Sequence, residues 1–180
     1  MMKITQIAAA LKKGNNLTVY TNGRAQFLSN GFAVYFASNL PMITSSEQLC
    51  TILGITGEQE GKYNIKIGEP LPSVMLTSSD YQETAVEKSE LAIKWRGMQY
   101  TAFAGGGNIM LVKSQYLAPF KDIDEVTYYD RVDCGKNHFL TVEAGLLGLI
   151  GLICPTAFSS QDPMSQELSR LAAMLREVEV

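Results

Sequence analysis

The only histidine of the chain, His138, and one of its three cysteines, Cys134, flank a Gly135-Lys136-Asn137 turn. An imidazole beside a thiol can take its proton and leave a thiolate nucleophile. No third group that would orient the imidazole can be picked out by spacing, and a turn cysteine next to a strand-end histidine explains the pair more simply. Carboxylates surround it: Asp130, Asp133 and Glu143. Together with His138 they could perform hydrolytic acid–base chemistry, provided that they converge in one pocket. In an extended strand, however, Asp130 and Val132 point away from Arg131 and Asp133. Charges at an exposed strand end ordinarily serve solubility and edge protection.

Two other features invite chemistry and receive plainer explanations. Gly105-Gly106-Gly107 is glycine-rich, but it lacks the GxxxxGK[ST] spacing of a phosphate loop and reads as a flexible hairpin connection. Tyr35, Phe36, Tyr128, Tyr129 and Phe139 could stack on bases, yet their places in half-buried strands account for them as core or sheet-surface residues. Cys50, Cys134 and Cys154 form no CxxC pair, and a single histidine cannot complete the usual zinc ligand sets. No catalytic residue, metal or cofactor is assigned from the sequence.

The elements that must hold these residues are legible from periodicity and turn chemistry. Residues 2–5 read as extended, and residues 6–13 as a helix with Ile7, Ala10 and Leu11 on one face, Thr5 as its cap and Gly14 as its stop. Residues 17–21, 25–29 and 32–37 read as three strands, separated by Asn22-Gly23 and Asn30-Gly31, whose glycines supply the positive φ of tight turns. After Pro41, Ser45 and Gln48 stand at capping-box spacing before a helix that ends at Gly54. Residues 63–67 and 73–77 read as strands. The polar stretch 78–90 reads as a surface loop and an internal boundary. Residues 91–96 and 98–104 form a hairpin around Gly97. An extended run at 109–112 leads to a helix over 115–121, shortened or distorted by Pro119. Residues 126–132, 138–142 and 146–153 are again three strands, closed by Pro155. Asp162-Pro163 opens a last amphipathic helix carrying Met164, Leu168, Leu171, Leu175 and Val178.

Composition sets the outer limits. The 180 residues are 46% apolar and 18% charged, which suits a globular domain or two small ones, with a net charge of −3 that argues against a basic nucleic-acid-binding tail. The longest apolar run, LLGLIGLIC from Leu146 to Cys154, is about half a membrane span. The N-terminus lacks the h-region and cleavage site of a signal peptide. Reduced thiols and these absences lead us to expect a cytoplasmic protein that does not engage a membrane.

One pattern spans the chain. Residues 6–22 (QIAAALKKGNNLTVYTN) align on 115–131 (QYLAPFKDIDEVTYYDR) at an offset of 109, with identities Gln6/Gln115, Ala9/Ala118, Lys12/Lys121, Thr18/Thr127 and Tyr20/Tyr129. Each copy is followed by two more strand-like runs, a proline and an amphipathic helix. The expected fold is therefore α+β. It consists of internally duplicated strand-helix-three-strand units in antiparallel sheet with helices on one face, divided into halves 1–90 and 91–180 or merged into one continuous domain.

The fragment IMLVKSQYLAPFKDI with its three following strands, and the opening MKITQIAAALKKG, resemble the repeating unit of DNA sliding clamps; Leu117-Ala118-Pro119-Phe120 is similar to the Leu-x-Pro-Leu helix of bacterial clamps. The resemblance covers about residues 1–55 and 109–178. It implies a protein that works by topology and electrostatics, with helices presenting positive charge to phosphates. Lys12, Lys13, Lys113, Lys121, Arg170 and Arg176 would be the DNA-facing residues, although Asp122, Glu167 and Glu177 dilute their field. The expected function is a non-enzymatic binding or assembly protein, an accessory factor in DNA metabolism. Its expected partners are a second copy of itself, DNA along a local basic helix face, or another protein. The alternatives are a small enzyme using Asp130, Asp133, Glu143 or His138, and an interaction module using residues 78–90 or the final helix.

Overall fold

The computed structural model describes residues 2–76, 81–157, 163–167 and 170. Its elements, in chain order, are α1 (Ile4–Leu11), β1 (Asn16–Thr21), β2 (Gln26–Ser29), β3 (Ala33–Phe36), α2 (Ser46–Leu53), α3 (Gly57–Glu60), β4 (Asn64–Glu69), β5 (Gln82–Trp95), β6 (Met98–Gly105), β7 (Asn108–Lys113), β8 (Val126–Val132), β9 (His138–Ala144) and β10 (Leu149–Ile153). The strands form one mixed sheet in the order β4-β1-β2-β3-β10-β9-β8-β5-β6-β7. Every pairing is antiparallel except β1 with β4. The fold is α+β, as expected. Among the described residues no helix is long and apolar enough to cross a membrane.

Alternation assigns the two faces of the sheet. Leu17, Val19, Leu28, Ala33, Tyr35, Leu140, Val142 and Ile153 point to one side, where Ile7, Ala10 and Leu11 of α1 and Leu49 and Leu53 of α2 join them in the main core. Phe27, Val34 and Leu152 point to the other side and are covered by Met75 from the 3₁₀ turn Ser73–Met75. Within β5 the pairing with β6 shifts between Lys88 and Ala92. Beyond that shift, Phe103, Met110 and Val112 still reach the main core, while Tyr100, Ala102 and Leu111 pack with Met164.

Side chains fasten the helices to the sheet. Asn30 in the β2–β3 turn donates through Nδ2 to the Ala10 carbonyl at 3.1 Å, and its Oδ1 accepts from the Phe32 and Ala33 amides at 3.0 Å. Buried Gln26 donates to the Pro41 carbonyl at 2.7 Å and accepts from the Ile43 amide at 3.0 Å, which fixes the path into α2. The α2 cap forms as read: Ser45 Oγ accepts from the Gln48 amide at 3.2 Å. The reciprocal arm lands one residue earlier, with Gln48 Oε1 accepting from the Thr44 amide at 2.8 Å. Gly54 closes the helix at φ 63°.

Several local expectations are corrected. The first helix starts at Ile4, inside the stretch read as extended, and Lys3 rather than Thr5 precedes it, without a side-chain cap. The segment 115–121 is two consecutive 3₁₀ turns, Ser114–Tyr116 and Ala118–Phe120, the tighter coil that Pro119 tolerates. Residues 73–75 are a 3₁₀ turn, where a strand was expected. Residues 82–90 are strand rather than loop: Gln82–Val86 pair with β8, and Glu87 and Lys88 pair with β6. Pairing first with β8 and then with β6 outweighs the low strand propensity of their charges. Asp162, at the expected N-cap, lies outside the described residues, as do Leu168, Leu171, Leu175, Glu177 and Val178; residues 163–167 are helical.

The sheet centre leaves no room for a methyl group at Gly151. A Cβ there would overlap the Phe120 ring and approach the Val34 carbonyl oxygen at 3.2 Å. Replacing Gly151 by Ala should destabilise the protein by about 1–3 kcal/mol in a urea titration, and adding Phe120→Leu should recover part of the loss.

Candidate polar site on strands β5, β8 and β9

Asp130 and Arg131 are neighbours on β8 whose side chains leave opposite faces of the sheet. Each residue is only 4% exposed. They were expected at an exposed strand end; the structure instead buries them, because β5 and β9 flank β8 on both sides. Burying a charge is costly unless it is paired, and both charges have partners.

On the helix side, both oxygens of Asp130 lie within 3.0 Å of His138 Nδ1. The register puts Asp130 opposite Leu140 and His138 opposite Val132, so the two are diagonal neighbours on one face. With Asp130 ionised, Nδ1 donates and Nε2 is left free to accept or carry a second proton. The carboxylate is inside and the imidazole is 42% exposed. Such a pair can orient an imidazole as a proton acceptor, which is the job of the carboxylate in a catalytic triad. Thr84, opposite Asp130 across β5, shares this face.

On the reverse face, Arg131 Nε donates to Glu83 Oε1 at 2.6 Å and its terminal nitrogen to the Val74 carbonyl at 2.7 Å. Its guanidinium lies 5.8 Å from the Tyr81 ring centre, and Thr141 Oγ1 donates to the same Glu83 oxygen at 3.4 Å. This network holds the 3₁₀ turn Ser73–Met75 against the sheet, over Phe27, Val34 and Leu152.

The other residues singled out from sequence go elsewhere. Asp133 is occupied in the β8–β9 turn, where Oδ1 accepts from the Asn137 amide at 2.8 Å. Hydrogen bonds from Asn137 hold its carboxyl below the ordinary range. Glu143 stands opposite Thr127 and Leu149, on the face away from His138. Cys134 is exposed and unbridged. Of the four proposed acid–base residues, only Asp130 and His138 meet. The triple glycine has local structural causes: a Cβ on Gly105 would overlap the Ala85 carbonyl, one on Gly106 would lie 2.9 Å from Thr84 Cγ2, and Gly107 turns at φ 81° in open space. Tyr35 is buried with its hydroxyl donating to the Tyr116 carbonyl at 3.0 Å, and burial pushes its phenol well above the ordinary value. Tyr128 packs on Phe103 with ring centres 4.9 Å apart. Among the described residues no group of three His, Cys, Asp or Glu side chains could hold a metal ion.

The DNA-facing candidates are spread out. Lys12 donates to the Leu53 carbonyl at 3.0 Å, at the C-terminal end of α2 where a cation is favourable. Lys13 is exposed beside it. Lys113 is half-buried with Nζ 5.7 Å from the Phe32 ring centre. Lys121 is exposed next to Asp122, which is ion-paired to Lys3 at 2.7 Å, and that lysine holds the Asp122 carboxyl below its ordinary range. The Lys3 pair lies at the start of α1 and Lys12 just past its end, roughly 13 Å along the axis. Arg170 is exposed, and Arg176 lies outside the described residues.

Sequence reasoning missed Glu83, Tyr81, Val74 and Thr141. The signal for Glu83 was present in the alternation of Thr84 and Val86 with Glu83 and Ala85. Compared with protein families, with curated proteins and with solved structures, the chain gives no match.

Arg131→Ala should leave Glu83 unpaired and release the Val74 carbonyl. We expect a loss of about 2–3 kcal/mol in denaturant unfolding, less than for a fully buried pair because Glu83 keeps about a third of its side chain in water. Limited proteolysis should then cut near residues 71–76, which should resist in the parent protein.

Proposed function

We propose that this chain is a non-enzymatic binding or assembly protein on a duplicated, clamp-like α+β scaffold, acting as an accessory factor in DNA metabolism. One observation carries the reading. Residues 7–12 of the first segment are buried, buried, exposed, buried, buried, exposed; residues 116–121, at the same offset of 109, repeat that order with only Ala118 differing, as half-buried. The same pattern arises in an α-helix and in two 3₁₀ turns, so it reflects what each segment packs against rather than its coil.

The arrangement around these segments points the same way. β1-β2-β3 and β8-β9-β10 are each consecutive antiparallel meanders, and they abut through β3 and β10. Side chains of α1 and of the two 3₁₀ turns enter one core, and Lys3 reaches across to Asp122. A scaffold of this kind binds phosphates through exposed lysines on its helical side, here Lys12, Lys13 and Lys121. Three phosphate contacts give a salt slope of about −2.7.

Affinity for a short DNA duplex should thus fall about 40-fold between roughly 50 and 200 mM salt, read by fluorescence anisotropy. Reversing Lys12, Lys13 and Lys121 to Glu should abolish the binding. Absence of salt-sensitive binding at high micromolar protein would remove DNA from this proposal.

A second reading, a small enzyme, is favoured by the Asp130–His138 pair alone. A panel of chromogenic esters and phosphoesters tests it: turnover that disappears in both Asp130→Asn and His138→Gln, with melting temperatures retained, would put the enzyme reading first.

A further inference from the structure

Two hairpin tips carry apolar residues that the fold leaves uncovered, and their surroundings are opposite in charge. The β9–β10 tip is the 3₁₀ turn Gly145–Leu147. Its Leu146 is 108% exposed and Leu147 62% exposed, against 1% and 3% for Ile150 and Leu152 on the adjoining strand. The turn is closed by the Ala144 amide donating to the Gly148 carbonyl at 3.1 Å, so the leucines are displayed on a fixed loop. Its rim is acidic. Glu125 Oε2 lies 3.9 Å from a Cβ built on Gly145, Asp124 precedes it, and Glu143 sits two residues before the turn.

The β5–β6 tip is basic. Trp95 pairs with Met98 around Arg96 and Gly97, at φ 47° and 78°, a tight two-residue turn. Lys94 and Arg96 are exposed, Arg96 lies 5.9 Å from the Trp95 ring centre, and Met98 is an exposed large apolar residue. The nearest acidic residue on the hairpin is Glu90, four residues before Lys94. Where they pair with β8, β5 and β9 run in the same direction; the register sets Ala144 level with Lys88, and the β5–β6 tip follows about seven residues, roughly 23 Å, further along β5.

We propose that these tips are the two halves of a self-complementary interface, the occupant of each being the opposite tip of a second copy of the chain. Two complementary patches on one molecule satisfy a two-fold axis, because the basic tip of each copy meets the acidic tip of the other. Leu146 and Leu147 cover Met98 and the Trp95 edge, while Asp124, Glu125 and Glu143 face Lys94 and Arg96. The apolar groove of about 350 Å³ lined by Pro41, Met42, Ile43 and Ile52 is a poorer receptor for the leucines, since Glu47 on its rim repels the acidic tip. An anionic bilayer is disfavoured by the same charges. The inference rests on the assembly part of the proposed function and names its contact surface.

Sedimentation equilibrium of the full chain tests it. The parent protein should be a dimer whose dissociation constant weakens with salt. The Leu146→Asp/Leu147→Asp variant should weaken it by at least about tenfold. The Lys94→Glu/Arg96→Glu variant and the Asp124→Lys/Glu125→Lys variant should each be monomeric alone, with two tips of like sign. Mixed in equal amounts they should dimerise, because the tips that meet in the mixed pair again carry opposite net charge, the two introduced lysines outweighing the retained Glu143; this recovery also shows that both variants fold. A dimer indifferent to all three variants would overturn this interface and leave assembly standing. A parent protein that stays monomeric at high micromolar concentration would overturn both, and Leu146-dependent flotation of that monomer with phosphatidylcholine vesicles would make the tip a lipid contact.

Discussion

Ala33–Ile153, Val34–Leu152 and Tyr35–Gly151 are the residue pairs that join β3 to β10, across more than a hundred residues of sequence. This short antiparallel contact makes one sheet out of two meanders. Its helix-facing side is specified by a matched exchange of volume: Gly151 has no side chain, and Phe120 fills the space above it while packing on Tyr35 with ring centres 5.6 Å apart. The Tyr35 hydroxyl then ties the same place to the Tyr116 carbonyl. Pairing of the sheet and seating of the 115–121 segment are thus one event. Contacts of such separation form only after a large loop has been closed, which favours slow folding.

The burial of Asp130 and Arg131 has a second effect. A slip of β8 by one residue would exchange the faces of its side chains. Asp130 would lose His138, Arg131 would lose Glu83, and two charges would be left inside without partners. Hydrophobic alternation on β8 is weak, with Val126, Tyr128 and Val132 only half-buried. The paired charges therefore specify the register that apolar residues there would leave loose. The same strand positions the imidazole, so the site geometry and the strand register are a single constraint.

The sequence showed most clearly what local chemistry decides. Ser45, Gly54, Asn30-Gly31 and the turn at Gly97 act within a few residues, and each forms where it was expected, although the last also takes in Arg96. The elements misread are those decided by distant partners. Residues 82–90 look like a polar loop because the partner of 82–86, strand β8 with Arg131, lies more than forty residues along the chain. The 3₁₀ turn at Ser73–Met75 resembled a strand because its apolar residues serve a lid, and a lid has no period. His138 and Asp130 were each noticed, but eight residues and a turn separate them, and only the register of β8 on β9 tells that they touch.

The position of β10 in the sheet bears on how the protein is made. It is the last strand of the described chain, yet it lies in the interior of the sheet, between β3 and β9. As the polypeptide leaves the ribosome, β1, β2 and β3 emerge long before their neighbour, and the outer flank of β3, with Val34 and Tyr35 on its two faces, stays uncapped throughout. Unpaired strand flanks of this kind recruit foreign strands. The β3 flank therefore stays open in the nascent chain until residues 149–153 arrive to pair with it.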